Sequence, residues 1–139
     1  MDKRILPNHV LLEEAAALME EGREVCFTPL GNSMLPFIRG GKDSVQVKKC
    51  PDVAVGDIVL ARLPGRYVMH RVFSRDGDRL VLMGDGNVAG TESCTTADIL
   101  GTVTAIYKGK RTIHPGKGRF WRALLPIRRY ILAIYRRII

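Results

Sequence analysis

The sequence predicts a mainly β, antiparallel domain with one helix ahead of it and an amphipathic helix behind it. Three observations carry this. The spacing of apolar residues changes from 3.6 to 2 after Gly22. Asp76-Gly77 separates two alternating runs, and a glycine that accepts φ > 0 there makes a tight hairpin. Residues 119–139 combine aliphatic and aromatic side chains with six arginines and no acid.

The elements follow in order. Asn8 is the expected N-cap of a helix over about residues 8–21. Val10, Leu11, Leu12, Ala15, Leu18 and Met19 give its periodicity, and Gly22 stops it. From about residue 24, Val25 and Phe27 alternate with Glu24 and Cys26, and Val45 and Val47 with Ser44 and Gln46. Ile58-Val59-Leu60 is a short apolar strand core after Gly56-Asp57. Residues 66–73 and 79–83 read as a hairpin, Ile99 to Tyr107 as a further strand, and Arg111 to Ile113 as its return across a turn at Gly109. Residues 1–115 thus form one β domain. Gly116-Lys117-Gly118 links it to a basic amphipathic helix within 116–139.

A chain of 139 residues with 46% apolar content suits a single packed domain. Cys26, Cys50 and Cys94 are odd in number and form no CxxC pair. His9, His70 and His114 stand at no metal-ligand spacing from them. We therefore expect reduced thiols, a cytoplasmic chain, no metal and no cofactor. Glu13 and Glu14 interrupt the first apolar stretch, so no signal peptide is expected, and no run reaches the ~18 apolar residues of a membrane span.

Two short motifs carry chemistry: Gly31-Asn32-Ser33-Met34-Leu35-Pro36 and Met69-His70-Arg71-Val72. A serine becomes a nucleophile when a neighbouring base takes its proton, and it needs backbone amides aimed at the developing oxyanion. A loop of Gly31, Asn32 and Ser33 supplies such amides, with Pro29 and Pro36 constraining its flanks. His70 falls within the strand Tyr67 to Phe73 and is the candidate base. The plainer reading of the same residues is a turn-capping serine and a half-buried strand histidine.

The surrounding blocks add to this. They are Gly31 to Asp43 (GNSMLPFIRGGKD), Val55 to Arg62 (VGDIVLAR), Tyr67 to Val72 (YVMHRV) and Met83 to Asn87 (MGDGN). In this order they resemble the serine peptidases that include type I signal peptidases and the LexA-like self-cleaving repressors, over about residues 25–107. The resemblance implies a LexA/signal-peptidase-like β fold with Ser33 as nucleophile. Bacterial signal peptidases and LexA-like proteins carry lysine at the base position. The endoplasmic-reticulum and archaeal signal peptidases carry histidine in an HRV block, and His70 is similar to the latter. An imidazole is already largely neutral at pH 7, whereas a lysine would need strong desolvation.

The chain departs from the pattern twice. Where that branch has an Asp soon after the GD-x-N block, this sequence runs Val88-Ala89-Gly90-Thr91-Glu92. This leaves Glu92 or Asp85 as the carboxylate behind His70, or neither. Two residues before the nucleophile, Gly31 replaces a hydroxyl residue, so an oxyanion hole rests on backbone amides. Here the loop is closer to the G-x-SM pattern of the repressors. Only about twenty-two residues precede the first strand, too few for a helix-turn-helix, so a DNA-binding repressor is not expected.

On a helical wheel Phe120, Trp121, Leu124, Ile127, Ile131, Leu132, Ile134, Tyr135, Ile138 and Ile139 share one face. Arg122, Arg129 and Arg136 lie on the other, near Arg119 and Arg137, and Arg128 breaks the pattern. Pro126 kinks this helix or begins a second one. The segment fits either an in-plane anchor on an anionic membrane surface, at its inner face, or a helix packed on the domain or a partner through its apolar side. Nucleic acid is not expected, because the arginines flank an aliphatic stripe with few aromatics for base stacking.

The expected function is a serine endopeptidase cutting a peptide or protein substrate with Ser33 and His70. The alternative is a family member without catalysis that binds a peptide or protein.

Overall fold

The computed structural model describes residues 3–5, 9–50, 52–87 and 90–138. The expected N-cap Asn8 lies outside the described residues. The helix α1 spans His9–Glu20 and ends as Gly22 demands: Gly22 takes φ +83°, its N–H reaches Met19 O, and Arg23 N–H reaches Leu18 O. Ala15, Ala16 and Met19 are buried on its inner side, while Leu18 faces outward.

Among the described residues nine strands form one sheet: β1 (Lys3–Ile5), β2 (Val25–Thr28), β3 (Ser44–Lys48), β4 (Ile58–Leu63), β5 (Arg66–Asp76), β6 (Arg79–Met83), β7 (Glu92–Thr95), β8 (Ile99–Lys108) and β9 (Arg111–Ile113). Their order is β1-β2-β3-β8-β4-β5-β6-β7, with β9 folded back on β8. All neighbours are antiparallel except β1 on β2. The mainly antiparallel architecture read from the sequence is therefore the one that forms. β1 and β7 are additions to it.

Register shifts at Gln46/Val47, Leu60/Ala61 and Val72/Ser74 bend the sheet, as bulges do. The bend gives two cores. Phe27, Val45, Val47, Ile58, Leu60 and Ile106 pack under α1, while Val59, Ala61, Val68, Val72, Leu80 and Leu82 pack on the opposite side. Successive β4 residues enter alternate cores, so this strand is buried on both faces. That is why its sequence is a continuous apolar run. Each fully buried Val, Leu or Ile contributes ~1.5–3 kcal/mol relative to exposure.

The long loop between β2 and β3 is closed at its far end by Asp43, which is wholly buried. Arg39 donates to it through its backbone N–H and its guanidinium, each at 2.8 Å, and Lys108 Nζ at 2.6 Å. Burial pushes this carboxyl up, but the bonds from Arg39 and Lys108 outweigh it and hold it below its ordinary value.

The C-terminal segment corrects the helical-wheel expectation. It forms α2 (Arg119–Ala123), a 3₁₀ turn over Leu125–Ile127 containing Pro126, and α3 (Arg128–Ile138). The packed face is narrower than the wheel's broad apolar face and runs through Trp121, Arg128 and Leu132. Ile127 and Ile134, expected on the packed face, are 49% and 65% exposed, whereas Arg128 turns inward and is 1% exposed. Trp121, expected on a membrane or partner face, is buried with Leu35 and Leu132 in a third apolar cluster. Arg71 Nη1 holds the intervening link by donating to Gly116 O at 2.7 Å. No helix among the described residues is long and apolar enough to cross a membrane.

Candidate active site

Ser33 lies on the β2–β3 loop. Gly31 takes φ +89°, a conformation that strains any residue with a Cβ. Past it the chain coils through short-range bonds, Leu35 N–H to Asn32 O at 3.3 Å and Ile38 N–H to Met34 O at 3.0 Å. Met34 and Ile38 are buried in the core under α1 and Leu35 in the third apolar cluster, which anchors the loop and leaves Ser33 half-buried.

Three glycines make room for this loop. A Cβ at Gly40 would stand 1.8 Å from Gly31 O, one at Gly84 2.3 Å from Ser33 O, and one at Gly86 2.6 Å from Asn32 O. None of these contacts is tolerable. Gly86 N–H donates to Ser33 O at 2.7 Å, and Asp85 N–H to Met34 Sδ at 3.4 Å. The Gly84-Asp85-Gly86-Asn87 turn is thus the floor of the serine loop. The G-x-G spacing was visible in the sequence, but the backbone it admits was not.

His70 sits on β5 opposite Val59, just before β6 begins its pairing at Arg71. Its ring is nearly buried, and Nδ1 is hydrogen-bonded to Glu92 Oε1 at the start of β7. Arg66 Nη2 stands 4.0 Å from the other oxygen of Glu92. With Nδ1 committed to a carboxylate, Nε2 is the nitrogen left to act as base.

Asp85, the other candidate behind His70, is committed elsewhere. Arg71 Nε and Nη2 donate to its two oxygens at 2.8 and 2.7 Å, with both side chains almost fully buried. Neighbouring residues on a strand point to opposite faces, so His70 and Arg71 carry their carboxylates apart. Arg71 also donates to Gly56 O at 2.9 Å and lies 5.2 Å over the Phe37 ring. The sequence reading assigned it no role.

Ser33, His70 and Glu92 line one cavity of about 370 Å³, together with Leu30, Met34, Ile38 and Met69. Among the described residues no hydrogen bond joins Ser33 to His70, a looseness common in active sites before substrate arrives. The N–H groups of Gly31, Asn32 and Ser33 make no hydrogen bond among the described residues either, which leaves them available to an incoming oxygen. No group of three or more His, Cys, Asp or Glu among the described residues could hold a metal. None of the three cysteines forms a disulfide.

Of the C-terminal residues picked from the sequence, Arg122 and Arg129 point away from the cavity region or into solvent. Arg122 Nε donates to Lys117 O at 3.2 Å and Arg129 is exposed. Trp121 and Arg136 instead reach the floor of the serine loop: Trp121 Nε1 donates to Asp85 O at 2.8 Å and Arg136 Nη2 to Gly86 O at 3.2 Å.

A bent antiparallel sheet that sets a serine loop against a strand histidine across a cleft is a peptidase-like domain. The chain belongs to the Peptidase S24-like family, whose model matches residues 7–104. This is the superfamily of LexA and signal peptidase that the sequence blocks resemble. No curated protein matches the chain.

Proposed function

We propose that the chain is a serine endopeptidase in which Ser33 is the nucleophile, His70 its base and Glu92 the carboxylate that orients the histidine. The observation that carries this is the convergence of the three on one cavity, with Glu92 on Nδ1 and Nε2 left for Ser33. Ser33 Oγ attacks the scissile carbonyl while Nε2 takes its proton. The oxyanion forms near the unbonded Ser33 N–H. His70 then protonates the leaving amine, and a water activated by the same nitrogen hydrolyses the acyl-enzyme.

The substrate is an extended peptide. β5 is paired with β4 along 66–71 but with β6 only from Arg71 onward, so its 66–70 edge is open beside the cavity. An open edge accepts an added strand, and alternate side chains of that strand then enter the cleft. Leu30, Met34, Ile38 and Met69 suit small or aliphatic residues there.

The test is cleavage of a peptide library by the wild type, Ser33→Ala and His70→Ala. Loss of all cuts in both variants supports the reading, and identical traces from all three overturn it. The missing Ser33–His70 hydrogen bond favours a second reading, a peptide-binding module that does not cut. Peptides retained by the wild type but never cleaved would establish that one.

We place the reaction at the cytoplasmic face of an anionic membrane. Ile127, Tyr130 and Ile134 are 49, 65 and 65% exposed and follow one another at three and four residues, one stripe along α3. Arg119, Arg129 and Arg137 are exposed beside it, and residues 119–139 hold no acid. Arginines beside an apolar stripe suit anionic headgroups, at roughly 1 kcal/mol per basic residue. Three cysteines outside any disulfide suit a reducing compartment. Co-sedimentation with vesicles containing phosphatidylglycerol, but not with phosphatidylcholine alone, is the expected result, and Ile127→Ser with Ile134→Ser should abolish it. Equal binding by that double variant would refute the contact.

A further inference from the structure

The floor of the serine loop has two sides. Its upper side meets the nucleophile, through Gly86 N–H on Ser33 O and Asp85 N–H on Met34 Sδ. On its lower side three consecutive carbonyls each accept a donor from the C-terminal helices. Asp85 O takes Trp121 Nε1 at 2.8 Å, Gly86 O takes Arg136 Nη2 at 3.2 Å, and Asn87 O takes Arg128 Nη1 at 3.1 Å. Leu35, two residues past Ser33, packs in the same apolar cluster as Trp121 and Leu132.

Arg128 is the informative member. It is 1% exposed, 5.1 Å from the Trp121 ring, and its charge meets no carboxylate by hydrogen bond or ion pair among the described residues. Its bonds go to two carbonyls, Asn87 O and Trp121 O, and its Nε is buried without a partner. Burial lowers its pKa, nearby Asp85 opposes this, and Arg71 adds to it. A guanidinium in this position is costly, and an aliphatic side chain would dock the helix more cheaply. What the arginine supplies and an aliphatic residue does not is a donor fixed on the Asn87 carbonyl and on the last turn of α2.

We infer that α2 and α3 are a positioning element of the nucleophile, with Trp121, Arg128 and Arg136 as positioning residues that hold the Gly84–Asn87 turn against the Ser33 backbone. None of the three touches substrate. They act by fixing where Ser33 Oγ stands relative to His70 Nε2. This rests on the peptidase reading for its consequence in rate but not for its structural content.

The experiment uses the full chain with Arg128→Met, which nearly keeps the packing volume, and Trp121→Phe, which keeps an aromatic ring but removes the indole N–H together with its five-membered ring. Two quantities are read: kcat and KM on a peptide the wild type cleaves, and hydrogen exchange at the Gly86 amide, whose N–H is bonded to Ser33 O. We expect kcat to fall roughly 10- to 100-fold with KM nearly unchanged, as a displacement near 1 Å does. Gly86 exchange should speed by about tenfold or more while amides of the β4 and β6 core keep their rates. Arg128→Lys, with its charge and one donor retained, should recover part of both.

Unchanged kcat and unchanged Gly86 exchange in folded variants would overturn the inference, as would equal acceleration of all amides, which marks simple loss of stability. If Arg128→Met does not fold, Trp121→Phe decides by the same two readouts. If the wild type cuts nothing and Ser33 takes no fluorophosphonate label, the peptidase reading fails by itself. Gly86 exchange then decides alone: faster in the variants upholds the positioning role, unchanged removes it.

Discussion

Replacing Glu92 by Gln removes one negative charge from behind His70 and changes almost nothing in shape. On the proposed mechanism that carboxylate faces an imidazole that gains a positive charge when it takes the serine proton. Opposite unit charges about 4 Å apart attract by roughly 4 kcal/mol at an effective dielectric near 20. The pair is mostly sheltered, with side chains 8% and 12% exposed, so solvent does not erase this. Arg66, 4.0 Å from the second oxygen, already offsets part of it.

Keeping about half to three-quarters leaves ~2–3 kcal/mol, or roughly 30- to 150-fold in kcat. The amide adds a second penalty. If its NH₂ turns toward Nδ1 it selects the wrong tautomer, and losses on the order of 10⁴-fold follow when a triad carboxylate is so replaced. The assay is steady-state hydrolysis of a fluorogenic peptide chosen from the library, with Ser33→Ala as baseline. KM should stay within about threefold, since the role proposed for Glu92 lies in the transition state. A kcat within threefold of the wild type would show that Glu92 plays no part in proton transfer.

Gly86→Ala sets a Cβ 2.6 Å from Asn32 O, so the nucleophile loop must shift; the expected loss is about 10²-fold in peptide cleavage with the fold retained by circular dichroism. Asp85→Ala leaves the buried Arg71 guanidinium without its carboxylate and should cost ~3–5 kcal/mol in urea unfolding, far more than a surface pair. The carboxyl of Asp43 is held below its ordinary value of 3.8 in the folded chain, so its contribution is fully present above that pH. Stability should therefore fall as pH drops below about 4, and Asp43→Asn should flatten that acid limb in thermal melts.

The elements legible in the sequence are those whose signal is local. β5 and β6 announce themselves through alternation and the Asp76-Gly77 turn, and Gly77 takes φ +60° there. β1 and β7 carry no such signal. Lys3-Arg4-Ile5 and Glu92-Ser93-Cys94-Thr95 hold one aliphatic residue and one buried thiol between them, and both become strands through partners distant in sequence.

That is why Glu92 could be named only as one of two carboxylates. Its place behind His70 depends on β7 pairing with β6, which puts it opposite Leu82. The C-terminal helix misled for a related reason. The wheel's apolar face is broader than the strip that packs: Trp121, Arg128 and Leu132 turn inward, while Ile127 and Ile134 at its edge stay outside. Hydrogen bonds to backbone carbonyls, which give Trp121 and Arg136 their place, leave no trace in hydropathy at all.

His70 and Arg71 are adjacent on β5 and serve opposite sides of the sheet. A slip of one residue between β5 and β4 would therefore do more than bury polar groups. It would bring the guanidinium into the cleft beside Glu92 and put the imidazole against Asp85, a neutral ring where a buried carboxylate needs a cation. A sheet slipped in this way would lose the His70–Glu92 contact and the Arg71–Asp85 ion pair at once. The native pairing satisfies both carboxylates, so this dipeptide penalises a one-residue slip on both faces of the sheet together.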